Sequence, residues 1–381
     1  MAHIRKNAYL CQRLTESNET TNMMVWNNDQ ELMLMASLPM MVCAQWTLVL
    51  LIDWVRERKA VKAYLMVFMA TATLLYAGHY VYFTNTVALM ALADVPYRIC
   101  NLLVYPLFLL YIGQLTQGGI GKRATGLWLL PTIIAGGFYL ITSLCGMTTQ
   151  QLWADLLCRI IFSIQVLAVC WQGMHMLNDF KRKVENYFAD TEGRTLRPIS
   201  AVLILLTVTS VLSIVANLIG REHITNTAWG LAVPSILFSA LLFCIGYVGH
   251  LSLFSYDDIK EAEAPQDTTI DEEMGNTTDE KTQELAQEVE RLVTSRQIFL
   301  QHDLRITDIA LMLNTNERYV SAAINQVIGC SFSDYINRYR IDYARKLQKE
   351  KPDMPASEIA FKAGYKSMSS FYRNMRKAGR E

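Results

Sequence analysis

Eight side chains in the last third of the chain fall into two sets with one spacing. Arg318, Ser321, Ala322 and Asn325 stand at i, i+3, i+4 and i+7, and so do Ser369, Tyr372, Arg373 and Arg376. On a helix each set shares one face. A guanidinium donates in a planar fork, an amide both donates and accepts, and hydroxyls adapt to either role. On the outer face of a helix, groups of these kinds are able to hydrogen-bond to polar partners, the edges of bases among them. From Arg318 to Arg380 there are thirteen lysines and arginines against five acidic residues, a surplus suited to phosphate.

A second group of ionisable residues lies in far more apolar surroundings. His79, Asp94, Arg98, Asp155 and Arg159 fall near the ends of apolar runs, where charge is costly and often functional. Arg159 lies about 10 Å of helix inside its run. Asp155 and Arg159 are one helical turn apart and can pair. Alternatively His79, Arg98, Asp155 and Arg159 form the mouth of a site for an anionic or polar signal. Both readings are open at the level of the sequence.

Other chemistry finds little support. The 8 cysteines show no CxxC or Cys/His zinc spacing, and the six in apolar runs read as small hydrophobes. His79 and His175 sit toward opposite ends of their runs, and His175 with His250 is too small a set for a metal. The 18 methionines read as apolar filler. No metal, cofactor or enzymatic activity is expected.

The elements that position these residues follow from composition. Of 381 residues, 52% are hydrophobic and 18% charged, against roughly a quarter charged in ordinary soluble domains. Seven stretches approach the roughly 20 apolar residues that a spanning helix needs, near 32–52, 63–84, 96–115, 126–146, 152–178, 197–220 and 229–253. Trp46, Trp54, Tyr64, Tyr82, Trp128, Trp153 and Trp229 fall near their ends, as interfacial anchors do. Lysine and arginine crowd the first, third and fifth loops (Arg56, Arg58, Lys59 and Lys62; Lys122 and Arg123; Lys181, Arg182, Lys183, Arg194 and Arg197), while the sixth holds only Arg221. Positive loops mark the cytoplasmic side. The amino terminus is therefore expected outside and the segment after Phe254 inside. Met1 to Gln30 is polar and does not read as a cleavable signal peptide.

Residues 255–280 are rich in Asp and Glu and read as a solvated tether. Leu285, Val289, Leu292 and Val293 then recur at helical spacing, more as the first helix of a new domain than as a dimerising helix. Thr307 is expected to cap a helix with Ile306, Ile309, Ala310 and Leu313 inward. Asn314-Thr315-Asn316 makes the turn, and Val320, Ala323, Ile324 and Val327 form the next apolar face. The pattern repeats with Ser357 as cap, Gly364 as terminator, and Phe371, Met375 and Ala378 inward. Phe332 to Gln348 reads as one long linking helix decorated by Arg338, Arg340, Arg345, Lys346 and Lys349. Two helix–turn–helix units in tandem are expected.

The segments ITDIALML, YVSAAINQVIGCSFSDYINRYRIDYARKL and EIAFKAGYKSMSSFYRNMRK resemble the AraC/XylS family of bacterial transcription regulators. The specific residues are Phe332, Tyr335, Ile336, Asn337, Arg340, Ile341 and Ala344 in the linking helix. Ile359, Ala360, Gly364, Tyr365, Ser367, Phe371, Tyr372 and Arg373 carry the pattern of the second unit. The resemblance covers roughly the last quarter of the chain. It implies that both units reach successive major grooves, and that the two sets of four named above are the base-reading residues. Family members continue beyond the glycine matched by Gly379 into a Thr-Pro and a closing helix. The sequence given ends at Glu381, so the second unit is expected to be less buttressed.

The expected architecture is thus all-α, a seven-helix transmembrane bundle followed by a cytoplasmic tandem helix–turn–helix domain. Its parts are an extracytoplasmic tail (1–30), a membrane sensor domain (31–254), an acidic linker (255–280) and an AraC-type DNA-binding domain (281–381). The expected function is a membrane-embedded one-component transcription factor in a bacterial inner membrane. Its expected partners are double-stranded DNA, the lipid bilayer and an unidentified small-molecule or membrane signal, with a second copy of the chain as a further candidate. The alternative is a receptor or transporter that signals through protein contacts with a module that no longer reads DNA.

Overall fold

The computed structural model describes residues 28–81, 87–194, 196–219, 228–251, 255–263 and 279–379. Most of the tail, Arg221 of the sixth loop and the middle of the acidic linker lie outside the described residues. Among those residues the fold is all-α, with one isolated β-bridge between Phe188 and Arg305.

Among the described residues seven long helices come first: α1 (Asn28–Glu57), α2 (Ala60–Val81), α3 (Val87–Gln117), α4 (Lys122–Leu144), α5 (Thr148–Tyr187), α6 (Arg197–Ile219) and α7 (Ala228–His250). Six are long and apolar enough to cross a membrane, whereas the apolar stretch found in α6, Arg197–Leu212, is shorter. Their outward faces carry large apolar side chains, among them Ile52, Leu92, Leu144 and Trp171, each more than 65% exposed. Bare apolar surface on this scale is foreign to a soluble monomer. At the centre stands α3, whose apolar stretch is 78% buried against 28–33% for the other five helices of spanning length.

At one end of the bundle α1, α2 and α7 are tied by buried charge. The Lys62 ammonium donates to the carbonyls of Gly249 and His250, both at 2.8 Å, satisfying groups that the end of α7 leaves without helical partners. Asp53 Oδ2 lies 3.7 Å from Lys62 Nζ and 2.6 Å from His250 Nδ1. Lys62 is 3% exposed. It is therefore an internal strut and not the loop charge that the sequence suggests. The approach is close because Gly246 and Gly249 leave room for Trp46 and Leu65, which a Cβ at either position would strike.

The acidic segment does not begin as a free tether. Helix α8 (Tyr256–Glu263) buries Ile259 and lays Tyr256 against Gly118 and under Lys183. Beyond the undescribed stretch, α9 (Asp279–Ser295) buries Ala286, Val289, Leu292 and Val293. It packs as the first helix of the carboxy-terminal module, with α10 (Ile306–Met312), α11 (Glu317–Ala322), α12 (Phe332–Glu350), α13 (Ala356–Lys362) and α14 (Met368–Ala378) following.

Truncating Lys62 tests the strut. Lys62→Ala removes both hydrogen bonds and leaves Asp53 facing His250 alone. Loss of one partner from a buried ionic set costs roughly 3–5 kcal/mol. The purified full-length chain should melt several degrees earlier, and an unchanged melting temperature in detergent refutes the structural role.

Candidate nucleic-acid interface

The module has two cores joined by one helix. The first half of α12, with Phe332, Tyr335 and Ile336, shares one apolar core with Val289 and Val293 of α9, Ile306 and Ile309 of α10 and Val320 of α11. Its second half, with Ala344 and Leu347, packs against Ile359, Ala360, Ala363, Tyr365 and Phe371. Each core supports one helix–turn–helix unit, and α12 sets the distance between them.

In the first unit Asn316 caps α11, its side chain accepting from the Arg318 amide at 2.9 Å. The cap of α10 is Arg305 and not Thr307. Asp308 reaches back to the Arg305 amide at 2.7 Å, so the carboxylate at the third position does the capping. After Ala322 the helix loosens into a π-turn over Ala323–Ile328. The wider turn rotates the side chains at its far end. Val327, expected inward, is 44% exposed. Arg318 and Asn325 are exposed and Ser321 and Ala322 half-buried on the same side, with Asn325 donating to Ser321 at 3.1 Å.

In the second unit α13 starts after Pro355 and not after Ser357. Gly364 adopts φ +86°, where a Cβ would lie 2.9 Å from the carbonyl oxygens of Phe299 and Leu300. Ser367 caps α14, accepting from the Ser370 amide at 3.1 Å. Tyr372 and Arg376 are exposed and Arg373 is half-buried, while Ser369 is exposed but bonded to Glu192.

One basic residue is reassigned by the structure. In sequence Arg340 belongs with the residues that decorate α12, yet it is fully buried. Its guanidinium donates at 2.6 Å to the carbonyl of Phe299 and at 2.6 Å to that of Gln301, and lies 5.5 Å from the centre of the Tyr365 ring. Burial pulls the guanidinium below its ordinary value and pushes the Tyr365 phenol well above its own. Arg340 therefore joins the two units and touches no phosphate. The partly exposed residues Arg338, Arg345, Lys346 and Lys349 keep the outer position expected of them, with Lys346 3.8 Å from Glu350.

The module does not hang free. The last ten residues of α5 carry the chain to residues 188–194, which bind both units. The Ala189 amide donates to Leu304 O at 3.1 Å, and Ala189 O accepts from Ser333 Oγ at 2.9 Å and Asn337 Nδ2 at 3.0 Å. Ser370 Oγ donates to Asp190 at 3.0 Å, and the hydroxyls of Ser367 and Ser369 both donate to the Glu192 carboxylate. Asp303 pairs with Lys366 and lies 3.6 Å from Arg194. Partial burial would raise the Asp303 pKa, but these two cations hold it below the usual range. None of these contacts is legible in the sequence. The one available signal is a pair of acidic residues, Asp190 and Glu192, inside a loop otherwise marked by lysine and arginine.

The charges of the bundle are also brought together. Arg98 pairs with Asp155 and lies 3.8 Å from Asp94, while Arg159 Nε donates to Asp155 at 2.8 Å. Tyr139 donates to Asp94 and accepts from Gln151 at 3.4 Å. His79 stacks obliquely on Tyr97, ring centres 5.9 Å apart, beside Arg98. Two cations meet two anions, so the Asp155–Arg159 pair is real and belongs to a larger neutral network across α3, α4 and α5. Among the described residues no group of three or more His, Cys, Asp or Glu is placed to hold a metal.

Residues 309–380 match the family described as "Helix-turn-helix domain". A similar protein is an uncharacterised HTH-type transcriptional regulator, YtdP, of Bacillus subtilis (strain 168), 35% identical over 75 residues. Those residues are 20% of this chain and 10% of the relative, so the chain spans about a tenth of that protein's length in the match. No solved structure matches.

Arg340 offers the sharpest test of the module's construction. Arg340→Met keeps volume but leaves two buried carbonyls without a donor. Hydrogen bonds to charged groups are worth about 1.5–3 kcal/mol each, so at least one such loss should appear as earlier melting of the module's helices. Equal stability of wild type and variant refutes the linking role. With its two turns, the caps at Asn316 and Ser367 and a family match over residues 309–380, the carboxy-terminal region is a helix–turn–helix domain of the AraC type.

Proposed function

We propose that the chain is a membrane-embedded transcription regulator that detects a signal in its helical bundle and binds promoter DNA through two helix–turn–helix units. The observation that carries this reading is the fusion of a helix–turn–helix domain to helices apolar enough to cross a membrane. The name of the Bacillus relative supports the regulatory half. The loop charges support seven spans, with the amino terminus outside and the module in the cytoplasm. Lys62 drops out of that tally, but Arg56, Arg58 and Lys59 keep the first loop positive.

Base reading falls to Arg318, Ser321, Ala322 and Asn325 in the first unit, and to Ser369, Tyr372, Arg373 and Arg376 in the second. Detection falls to the network of His79, Arg98, Asp155 and Arg159. An anionic signal entering there competes with Asp94 and Asp155 for Arg98, and its arrival would separate α3 from α5. A signal read at the mouth of the bundle thereby acts on the helix that carries the module.

Genome-wide mapping of DNA bound by the intact protein tests the whole reading, and the absence of enriched promoter sites sinks it in favour of signalling through protein contacts. On an enriched site, Arg318→Ala should cost roughly 1–3 kcal/mol and relax preference at one or two base pairs. Lys346→Ala should instead weaken all sequences alike and lower the salt slope by about one. Reporter fusions after Gly146 should read as external and after Gly119 as internal, the reverse pattern contradicting the orientation. Arg98→Ala should abolish the response with the protein still abundant, whereas a loss that tracks falling protein levels makes Arg98 a structural partner alone.

A further inference from the structure

The two units differ in what covers them. In the first, Arg318 and Asn325 are exposed. In the second, the start of the recognition helix is occupied by the chain itself. Glu192 takes the hydroxyls of both Ser367 and Ser369, Asp190 takes that of Ser370, and Arg373 turns inward to Ser370 Oγ at 3.3 Å. A helix N-terminus with free hydroxyls favours an anion, because its amides point outward and its dipole is positive there. On DNA that anion is a phosphate, and the first turn of a recognition helix is what approaches the groove. Here two carboxylates hold the position.

The occupying loop is anchored and not merely adjacent. Phe188 is 1% exposed, with the Arg194 guanidinium 4.1 Å from its ring centre, and Ala189 makes three hydrogen bonds to the module. Asp190 is itself 7% exposed and fixes the turn by accepting from the Glu192 amide at 3.0 Å. The loop continues directly from α5, the helix that bears Asp155 and Arg159. Any axial or tilting movement of α5 is therefore delivered to Asp190 and Glu192.

We propose that residues 188–194 are a built-in competitor for DNA, in which Asp190 and Glu192 stand in for phosphate at the second recognition helix until α5 moves. In this state the first unit is free to dock and the second is not. The proposal rests on the reading of the module as DNA-binding and supplies its regulation. Equilibrium between covered and open states is shifted by any ligand with different affinity for the two, so DNA and the signal each favour withdrawal of Asp190 and Glu192.

The test uses the full chain in phosphatidylcholine nanodiscs and a pool of 30-bp duplexes of randomised sequence, enriched by binding and then footprinted. Without a signal, wild type should protect one half of a two-part site. The double variant Asp190→Ala, Glu192→Ala should protect both halves, about one helical turn apart, and bind about tenfold more tightly. Glu192→Gln keeps the loop's shape and should move both readouts in the same direction by less, which guards against a misfolded loop. A control with Glu284→Gln and Glu288→Gln removes equal charge from exposed sites on α9 and should leave the footprint unchanged. If wild type already protects both halves, or if the control gains as much as the loop variants, the competitor proposal falls and DNA binding stands. If none of the proteins enriches any duplex, the DNA-binding reading falls and takes the competitor with it.

Discussion

The length of α5 governs the arrangement of everything after it. Forty residues of helix run to about 60 Å, and the hydrocarbon core of a bilayer is about 30 Å. A helix that enters such a layer at its apolar start must leave it with many residues to spare. The surplus carries Lys181, Arg182 and Lys183 on one side and buries Phe180, Val184 and Tyr187 on the other. That buried stripe, ending in Phe188 and Ala189, belongs to the same apolar core as Phe332 and Ile336 of α12. The module is thus packed on a rigid continuation of the bundle and not suspended from a linker.

Rigidity on the module's side comes from a different device. Two cores that share a helix can rock about it unless something crosses the gap. Arg340 crosses it, in the middle of α12, with two short bonds to the segment before the first unit and its plane near Tyr365 of the second. Gly364 completes the junction, since only a residue without a Cβ lets the turn come so near the carbonyls of Phe299 and Leu300. Movement imposed on one unit is therefore passed to the other.

Much of this is legible in the sequence, because the relevant signals are local. Apolar runs of spanning length, the Asn316 cap, the Gly364 terminator and the stripe of α12 depend on residues within a few turns of each other. The features that stay hidden depend on distant partners. Lys62 and Arg340 look like solvated charges in a basic stretch, and only the arrival of His250 in one case and Phe299 in the other makes them internal. Val327 departs from expectation for a subtler reason, since a π-turn conserves composition while changing the period on which an inward face is counted. The Glu192 contact joins residues 177 positions apart along the chain, and no periodicity reports such a pairing.

The loop contact also has an energetic scale suited to switching. Its core is apolar and deep at Phe188 and Ala189, but its acidic tip consists of hydroxyl–carboxylate bonds in which Glu192 and Ser369 are close to solvent. Bonds of that kind exchange with water at little net cost, with typical contributions of about 0.5–1.5 kcal/mol, or somewhat more to a charged group. The two bonds to Glu192 are of this kind, while the third, from Ser370 to Asp190, is buried; together they hold a recognition helix covered at equilibrium and still yield to a polyanion, whose phosphates offer the same serines a denser negative charge. Anchorage and masking are thus divided between two parts of one loop. The apolar part keeps α5 and the module together in both states, and the acidic part alone has to open.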